Sequence, residues 1–386
     1  MKLKFTVIKH FRVITLVVLN SYLISLSLHA NAQSVSNNKI NVGFVYPISS
    51  NGTHATADTN IFSLNLIAGV SAGEKGLSFA GISSVIKDDA YGMQFAGFSN
   101  HIGKHAEGMM FAGFMNTYGD AKGMQFAGFT NISSKQVIGA QFAGFLNKAS
   151  DVDGAQFAGF ANVSGKISGP QFSGFSNVAT KVRGSQFSGF INKAEDVSGS
   201  QFSGFINIAR KVKGAQVSGF INVADSSDYP IGIINIIKHG EKSLGFSIDE
   251  NETTMLSFRS GGKVLYGVIA AGYNARNTEE VYAFEVGLGA HFLNTPVFRF
   301  NAELSTQTLE SFRYGEYFKF SARLMPSLRP FPALEIYGGP VFNYVNTNTT
   351  EGRALTKNYI QTWENRWGNN FEGIYIGYNV GINIVF

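Results

Sequence analysis

The sequence contains no cysteine, and this absence excludes several kinds of chemistry at once. Without thiols the chain has no disulfide framework, no thiolate nucleophile or ligand, and no cysteine for lipoprotein attachment. Charged residues are also scarce, at 15% of the chain, yet 35 phenylalanines and 44 glycines are unlike the aromatic-poor composition of disordered proteins. The Lys and Arg residues are scattered and give a net charge of +5 without a basic run, so no nucleic-acid partner is expected.

The N-terminus has the pattern of a secretory signal peptide. Basic residues near the start precede an apolar stretch over residues 13–28, and small residues follow at Ala30 and Ala32. We expect cleavage before Gln33, which removes residues 1–32. The alternative is a membrane-anchor helix, but a span needs about 20 apolar residues and this stretch is interrupted by Asn and Ser. Export of a chain without cysteine is compatible with the bacterial cell envelope.

A fifteen-residue repeat fills the middle of the chain. Its unit is Gly-x-Gln-Phe-Ala/Ser-Gly-Phe-x-Asn-x-Ala-x-x-Val-x, and residues 139–147 show its first nine positions. The glycine between the two phenylalanines recurs in steps of 15 or 16 residues, at Gly81, Gly97, Gly113, Gly128, Gly144, Gly159, Gly174, Gly189, Gly204 and Gly219. Such a period indicates stacked identical units, so function is to be sought in the array rather than in one pocket.

The repeat predicts strands that stack as a β-solenoid. The Gln, the small residue, the second Phe and the Asn alternate, which places them on one side of an extended segment. We predict one coil per repeat over residues 77–242, after an N-terminal lead-in and cap over residues 33–76. Phenylalanine stacks are predicted to fill the core, and Gln and Asn ladders to satisfy buried amides between coils. Degenerate copies at residues 66–70 and 231–235 are the predicted caps of the array.

An antiparallel β-meander with one strand per repeat is the alternative arrangement. In a membrane barrel built this way, alternate loops differ in length and produce a thirty-residue period. The connections of the array are all alike, which favours the solenoid.

The C-terminal segment, residues 243–386, has longer alternating strands. Apolar residues occupy every second position over residues 282–292 and 374–386, with polar residues or glycines at most of the positions between them, such as Glu285, His291 and Asn379. This pattern predicts an eight-stranded antiparallel outer-membrane β-barrel, with its apolar side chains facing lipid. A soluble sandwich, with its apolar face inward, is the alternative. Connections that alternate between short and long favour the barrel.

Two features carry a resemblance to a known group of proteins. The C-terminal segment closes on an aromatic residue, Phe386, and resembles small eight-stranded outer-membrane proteins. The repeats are similar to the short Gly-x-Gln…Gly-x-x-Asn surface repeats that precede such barrels in uncharacterised Gram-negative envelope proteins. The resemblance implies an outer-membrane location, and it carries no activity that can be transferred residue by residue.

Charged residues of the barrel strands are predicted to pair inside a filled lumen, because an eight-stranded barrel is filled by its own side chains. This arrangement is a plug, and a narrow ion path is the alternative. The predicted carboxylates are Glu285, Glu303 and Glu335, and the predicted cations are Arg299, Lys319 and Arg323.

The strand count also predicts on which side of the membrane the array lies. With eight strands and Phe386 at the periplasmic side, the chain enters the barrel from the periplasm, so we expect the solenoid there. The surface label of the similar repeats favours the outside instead, and both placements stay open at this point.

Few residues are candidates for a reactive site. His101 and His105, near Glu107, would form a metal-binding face on a helix, but we predict them to be exposed histidines in a connection between strands. His291 and Glu285 share the predicted lumen face, where an acid/base pair is conceivable, but no positioned serine or second carboxylate pattern accompanies them. We therefore predict no catalytic, cofactor-binding or metal-binding residue.

Two other motifs have structural interpretations. Ser260, Gly261 and Gly262 lack a strand–loop–helix context and are predicted to form a turn rather than a phosphate cradle. Trp363 and Trp367 lie in the longest predicted outer loop. Anchoring and loop packing are favoured for them over a binding tip.

Together these observations predict a non-enzymatic outer-membrane protein in which a small barrel tethers a repeat array with a structural or adhesive role. Outer-membrane lipid is the expected partner of the barrel, and a protein or glycan is the expected partner along the array. The alternatives are a porin-like passive channel and an envelope-lipid-modifying enzyme.

Overall fold

A computed structural model describes residues 39–313, 315–364 and 370–386. The predicted signal peptide and Trp367 lie outside the described residues. The chain is all-β, with a parallel β-solenoid of about 12 turns and a closed antiparallel barrel of eight strands. The predicted fold class is confirmed, and the meander is wrong because successive repeats pair in parallel.

Backbone contacts divide the chain into two compact units, one up to Gly128 and one from Phe129 to Phe386. The strands of the first unit are β1 (Lys39–Val45), β2 (Ile48–Ser49), β3 (Thr59–Ser71), β4 (Gly73–Ala80), β5 (Ser83–Ile86), β6 (Ala90–Ala96), β7 (Ser99–Ile102), β8 (His105–Ala112), β9 (Met115–Tyr118) and β10 (Asp120–Ala127), with a 3₁₀ turn over Gly52–Ala57.

The second unit contains further coils of the solenoid and the whole barrel. Its solenoid strands are β11 (Thr130–Ser133), β12 (Gln136–Ala143), β13 (Leu146–Lys148), β14 (Asp151–Ala158), β15 (Ala161–Val163), β16 (Lys166–Ile167), β17 (Gln171–Ser173), β18 (Ser176–Val178), β19 (Lys181–Val182), β20 (Gln186–Ser188), β21 (Ile191–Lys193), β22 (Asp196–Val197), β23 (Gln201–Ser203), β24 (Ile206–Ile208), β25 (Lys211–Ser218), β26 (Ile221–Ala224), β27 (Ser226–Ile231) and β28 (Ile234–Ile237). Its barrel strands are β29 (Lys242–Asp249), β30 (Thr253–Gly261), β31 (Leu265–Asn274), β32 (Tyr282–Asn294), β33 (Phe298–Glu310), β34 (Tyr317–Phe331), β35 (Leu334–Thr347) and β37 (Phe371–Val385), with a short strand β36 (Gln361–Glu364) and helix α1 (Thr350–Ala354) between the last two.

Equivalent residues of successive coils lie side by side in the solenoid. β12 pairs with β14 in parallel, with Gln141 opposite Gln156. The same fifteen-residue shift places Gln171 opposite Gln186 between β17 and β20. Each position of the repeat therefore forms one column that runs along the array.

Buried amides form two of these columns. Asn162 donates from Nδ2 to Oδ1 of Asn177 at 2.9 Å, one coil further along the chain. Gln171 donates from Nε2 to Oε1 of Gln156 at 2.8 Å, one coil back. Side chains of both columns are fully buried, which confirms the predicted ladders. In the second unit the Asn column is Asn131, Asn147, Asn162, Asn177, Asn192, Asn207, Asn222 and Asn235, and the Gln column is Gln141, Gln156, Gln171, Gln186, Gln201 and Gln216.

The phenylalanine stacks lie on the outer surface, so the prediction that they fill the core is wrong. The backbone bends at Gly144 and Phe145. A straight strand would place Phe145 on the same face as Gln141 and Asn147, but at the bend Phe145 turns outward while both amides stay inward. Phe142 is only partly buried and Phe145 is 38% exposed. Small aliphatic side chains of the repeat's Ala and Val positions complete the interior with the amides.

Glycine at the bend is required by the close stacking of coils. A Cβ on Gly159 would collide with the carbonyl oxygen of Gly144, one coil earlier. A Cβ on Gly174 would collide with the carbonyl oxygen of Gly159 in the same way. Much of the unusual glycine content is explained by this repeated approach of one backbone to the next.

The array extends beyond its predicted first cap, whereas the degenerate copy at residues 231–235 does lie in its last coil. At the start, parallel pairing extends beyond residues 66–70, because β1 pairs with β3 before β3 pairs with β4. At the other end, the barrel itself caps the last coil. The backbone N–H of Asn235 donates to Oγ of Ser260 at 3.0 Å, and its Nδ2 donates to the Ser260 carbonyl at 3.2 Å.

The barrel closes where β29 pairs with β37 in antiparallel register, with Ser243 opposite Val385. Short turns at residues 262–264, 295–297 and 332–333 lie at the same end as Lys242 and Phe386. The connection that follows β35, described over residues 348–364 and 370, begins at the other end, where a short turn at residues 250–252 also lies. Ser260 and Gly261 end β30, and only Gly262 lies in the first turn, so the turn predicted over these three residues is confirmed at Gly262 and wrong at the other two.

The barrel wall has apolar side chains outside and polar side chains inside. Along β32, for example, Phe284, Val286 and Leu288 are exposed, whereas Glu285 is buried. This arrangement is the reverse of a soluble sandwich, so that alternative is wrong. The predicted faces of the barrel strands are confirmed.

The Asn column generates a first prediction. Asn177→Asp keeps the shape of the side chain but replaces the donor that bonds Asn192 Oδ1 at 3.0 Å and the Phe187 carbonyl at 2.7 Å. A buried, unsatisfied polar group costs about 1–3 kcal/mol, and a charge costs more, so we expect a clear loss of solenoid stability. Thermal unfolding followed by circular dichroism measures it. Ser176→Ala, at the variable position beside it, is the control, and an equal effect of both substitutions contradicts the ladder's role.

A buried carboxyl in the first unit generates a second prediction. Glu74 accepts hydrogen bonds from Asn60 and Ser63 at 3.0 and 2.8 Å. Burial raises the pKa of this carboxyl above its ordinary 4.5, although the two hydrogen bonds act in the opposite direction. A carboxyl with a raised folded-state pKa stabilises fully below pH 4.5, and this contribution is lost as the pH rises through the folded-state pKa.

Glu74→Gln, which cannot ionise, is therefore expected to gain stability relative to the unmodified chain as the pH rises from 4 to 7. Melting temperatures measured across this range test the expectation. The exposed Glu195→Gln serves as the control for the loss of a carboxylate. A Glu74→Gln difference that is constant with pH, or that shrinks towards neutrality, contradicts the assignment.

Candidate functional site in the barrel interior and on the solenoid surface

A network of two arginines and two glutamates lies at the centre of the barrel. Arg259 Nε is 2.7 Å from Glu303, and Arg323 is 2.5 Å from Glu285 and 3.4 Å from Glu303. The hydroxyl of Tyr266 donates to Glu303 at 3.0 Å. All four charged side chains are buried, and the network joins strands from opposite parts of the wall.

A second network lies near the short-turn end. Arg299 is 2.5 Å from Glu241 and 3.3 Å from Glu335. Asn301 donates to Glu335 at 2.7 Å and also contacts Nδ1 of His291 at 2.6 Å. The cavity within this network has a volume of only about 10 Å³, which is at the lower limit for one water molecule.

The other end of the lumen is filled by one ion pair and an apolar cluster. Lys319 Nζ is 2.5 Å from Asp249. Leu355, from the long connection after β35, is buried against Met255, Tyr317 and Tyr375. Leu355 therefore reaches back into the barrel and contributes a side chain to its interior.

The predicted pairing of lumen charges is confirmed in part. Glu285 pairs with Arg323 and Glu335 with Arg299, as the alternation of the strands predicts. Lys319 instead pairs with Asp249, which lies at the end of the first barrel strand. Sequence reasoning also missed Arg259 and Glu241. Arg259 was detectable as the inward residue of its strand, whereas Glu241 precedes β29 and lies outside any alternating pattern.

Outside the barrel, alanines of neighbouring strands produce an apolar groove of about 560 Å³ in the wall. Ala290, Ala302 and Ala322 line it, and Leu304 and Phe342 are among its other lining residues. Most of its lining is apolar, and the charged residues that border it, Glu303 and Arg323, belong to the central network inside the barrel.

The histidines singled out in the sequence have separate partners. His101 lies within β7, between Thr117 Oγ1 at 2.7 Å and Ser99 Oγ at 3.0 Å. His105 begins β8 and bonds Asp120 at 2.5 Å, with Glu107 at 3.6 Å. Their predicted place in an exposed connection is wrong, because the array's strands extend through both positions. Among the described residues no group of three or more His, Asp or Glu side chains is arranged to hold a metal ion.

His291 and Glu285 share the lumen but do not meet. His291 stacks on Tyr266, with ring centroids 4.5 Å apart, and lies 3.8 Å from Glu241. Glu285 is bound to Arg323. Trp363 packs near Tyr344 and donates from its indole nitrogen to Glu372 at 2.5 Å, which is the loop packing that the sequence favoured.

The solenoid surface carries two columns of stacked phenylalanines. Phe160 and Phe175 are 4.9 Å apart between ring centroids and tilted by 2°. Phe157 and Phe172 are 5.2 Å apart and tilted by 4°. Each ring covers the face of its neighbour, so only ring edges meet the surroundings.

No family model, curated protein or solved structure matches the chain. Over the described residues, neither helical segment is both long and apolar enough to cross a membrane.

The central charge network generates a third prediction. Arg323→Met removes the partner of Glu285 and one partner of Glu303, and a buried charge that loses its partner costs about 3–5 kcal/mol. We expect a matching loss in the free energy of barrel unfolding by denaturant in detergent. Adding Glu285→Gln to Arg323→Met should restore part of the loss.

Arg313→Met, in an exposed connection, is the control for the loss of an arginine. If Arg323→Met unfolds at the same denaturant concentration as this control, the central network does not hold the barrel together.

Proposed function

We propose that this protein is a non-enzymatic outer-membrane protein in which a filled barrel tethers a β-solenoid, with a structural or adhesive role. The observation that carries the proposal is the inverted barrel, whose large apolar side chains face outward and whose charges are paired inside. Hydrocarbon outside such a wall suits its apolar outer face, while the charges of the inner face are satisfied by one another.

The filled lumen supports an anchor rather than a porin-like channel. Ion pairs fill the short-turn half of the barrel and its centre, and Leu355 with Tyr317 and Tyr375 fills the other end. An ion path would require several of these buried contacts to open together. A lipid-modifying enzyme is less favoured, because His291 and Glu285 are each engaged with other side chains.

The placement of the turns supports a periplasmic solenoid. Outer-membrane barrels have short periplasmic turns. In this barrel three short turns, Lys242 and Phe386 share one end, whereas the opposite end has one short turn, at residues 250–252, and the longer connections. The last coil joins that same end through Asn235 and Ser260. The surface label of similar repeats is the competing argument, and protease treatment of whole cells distinguishes the two placements.

The geometry of the stacked rings limits the kinds of partner that fit the array. Glycans bind aromatic residues through exposed ring faces, whereas the faces of Phe160, Phe175 and their neighbours are covered by one another. An apolar partner that contacts ring edges, either protein or lipid, fits this surface better than a glycan.

Reconstitution of the full mature chain tests the proposal. We expect it to insert into liposomes, to resist carbonate extraction, and to show no steady unitary currents in planar bilayers. Leu304→Arg places a charge on the outer wall, where an arginine at the bilayer midplane costs about 2–4 kcal/mol, so insertion should fall sharply. Thr180→Arg, on an exposed corner of the solenoid, is the control. Steady currents contradict the anchor, and unimpaired insertion of Leu304→Arg contradicts the lipid-facing wall.

A further inference from the structure

The solenoid coils of the chain's second unit carry two phenylalanine columns on their outer surface, between Phe129 and Phe220. These two columns together form what we call the aromatic edge. The rings of the second column remain 38% exposed at Phe145, 41% at Phe160 and 39% at Phe175. The members of the edge are Phe129, Phe142, Phe145, Phe157, Phe160, Phe172, Phe175, Phe187, Phe190, Phe202, Phe205 and Phe220.

Charge is separated from the aromatic edge in every coil. Between the Gln and the Asn of each repeat, from residues 141–147 to residues 216–222, no charged residue occurs. Exposed charges such as Lys166, Lys181 and Lys211 lie in the remaining part of the coil. The solenoid is therefore amphipathic in cross-section, and a continuous apolar surface of this kind indicates a contact with another apolar phase.

The last coil packs on the outside of the barrel wall. Ser260 points outward from β30 but is only 1% exposed, because Asn235 covers it. The other outward residues of this strand are less covered farther from Asn235: Phe258 is partly buried and Leu256 is 63% exposed. Gly267 of β31 also faces outward, and a Cβ there would collide with the carbonyl oxygens of Gly232 and Ile233. The coils therefore stack outward from the side of the barrel, not from its mouth.

The aromatic edge lies on the side of the coil that is nearer the apolar wall. Ile233 follows Phe220 in its column, since Ile221 is paired with Ile234. Ile233 lies over Gly267, which is within β31 and farther from the short-turn end of the wall than Gly262. Gly262 is a turn residue and lies beside Pro230. The phenylalanine column thus ends over the barrel wall, beyond the turn residue Gly262, and lies on the side of the coil towards the exposed apolar band of the barrel.

We propose that the aromatic edge from Phe129 to Phe220 rests on the lipid surface in which the barrel is embedded. This inference rests on the proposed function, because it requires the barrel to be in a membrane. Aromatic rings are favoured at the membrane interface. Backbone groups along the edge bond between coils, as the Phe175 N–H does to the Phe160 carbonyl at 3.0 Å, so contact with lipid does not deprive these groups of their partners. The coils of the second unit would then lie along the membrane and present their charged side to the aqueous phase.

Single tryptophan probes in the full mature chain test the proposal. Trp363→Phe and Trp367→Phe remove the native tryptophans, and one probe is then added at a time. Phe175→Trp reports the aromatic edge, Lys181→Trp reports the charged side of the same coil, and Phe320→Trp reports the outer wall of the barrel. Each variant is reconstituted into phosphatidylcholine–phosphatidylglycerol vesicles with or without bromine on the acyl chains, and acrylamide is added as an aqueous quencher.

The expected result is quenching of the Phe175→Trp and Phe320→Trp probes by brominated lipid, by about two-fold or more, with the Lys181→Trp probe quenched only by acrylamide. If Phe320→Trp is quenched by lipid but Phe175→Trp is not, the barrel is in the membrane but the proposed contact between the aromatic edge and lipid is wrong. If Phe320→Trp itself is not quenched by lipid, the proposed function fails.

Protection of Phe175→Trp from both quenchers overturns the proposal in a distinct way, because it means that a protein, including a second copy of this chain, covers the edge. Circular dichroism of each variant before reconstitution shows whether the solenoid is folded. A second probe at Phe190→Trp, one coil further along, keeps the test valid where Phe175→Trp does not fold.

Discussion

The hydrogen bond between equivalent amides of neighbouring coils is the interaction on which the solenoid depends. A fully buried Asn or Gln without a partner costs about 1–3 kcal/mol per unsatisfied group, so one coil cannot bury these side chains alone. Asn162 is satisfied by Asn177 only because the repeat returns after fifteen residues. The same requirement explains the end of the array, where Asn235 bonds Ser260 of the barrel. The barrel is therefore part of the solenoid's cap as well as a separate closed sheet.

The barrel applies the same principle to charges. Arg323, Glu285 and Glu303 are buried together and bond one another across the lumen, so the cost of removing each charge from water is offset by its partners. With polar groups collected inside, the outward positions of the wall are left to large apolar residues such as Leu304 and Phe320. Solenoid and barrel thus share one arrangement, in which polar side chains form the interior and aromatic or aliphatic side chains form the surface.

The period and alternation of the sequence were sufficient to predict the solenoid, the barrel and the inward charges Glu285, Arg299 and Arg323. They were not sufficient to place the phenylalanines, because alternation assumes a straight strand and the backbone bends at Gly144. Periodicity does not report such a bend. Glu241 and Leu355 were missed for a related reason. Both reach the lumen from connections, where side-chain direction is set by the folded chain and not by a two-residue period.

The exposed phenylalanines follow from the same fifteen-residue register. Because equivalent residues lie about 4.8 Å apart across a parallel sheet, identical rings on the outside must stack face to face, which is the spacing of Phe145 and Phe160. Stacking covers the ring faces but leaves a continuous line of apolar edges along the column from Phe129 to Phe220. An aqueous surrounding on every side would leave this line in contact with water along many coils. In the membrane location proposed for the barrel, an apolar phase would lie beside the line, so the register of the solenoid and the inverted wall of the barrel are compatible with one membrane surface.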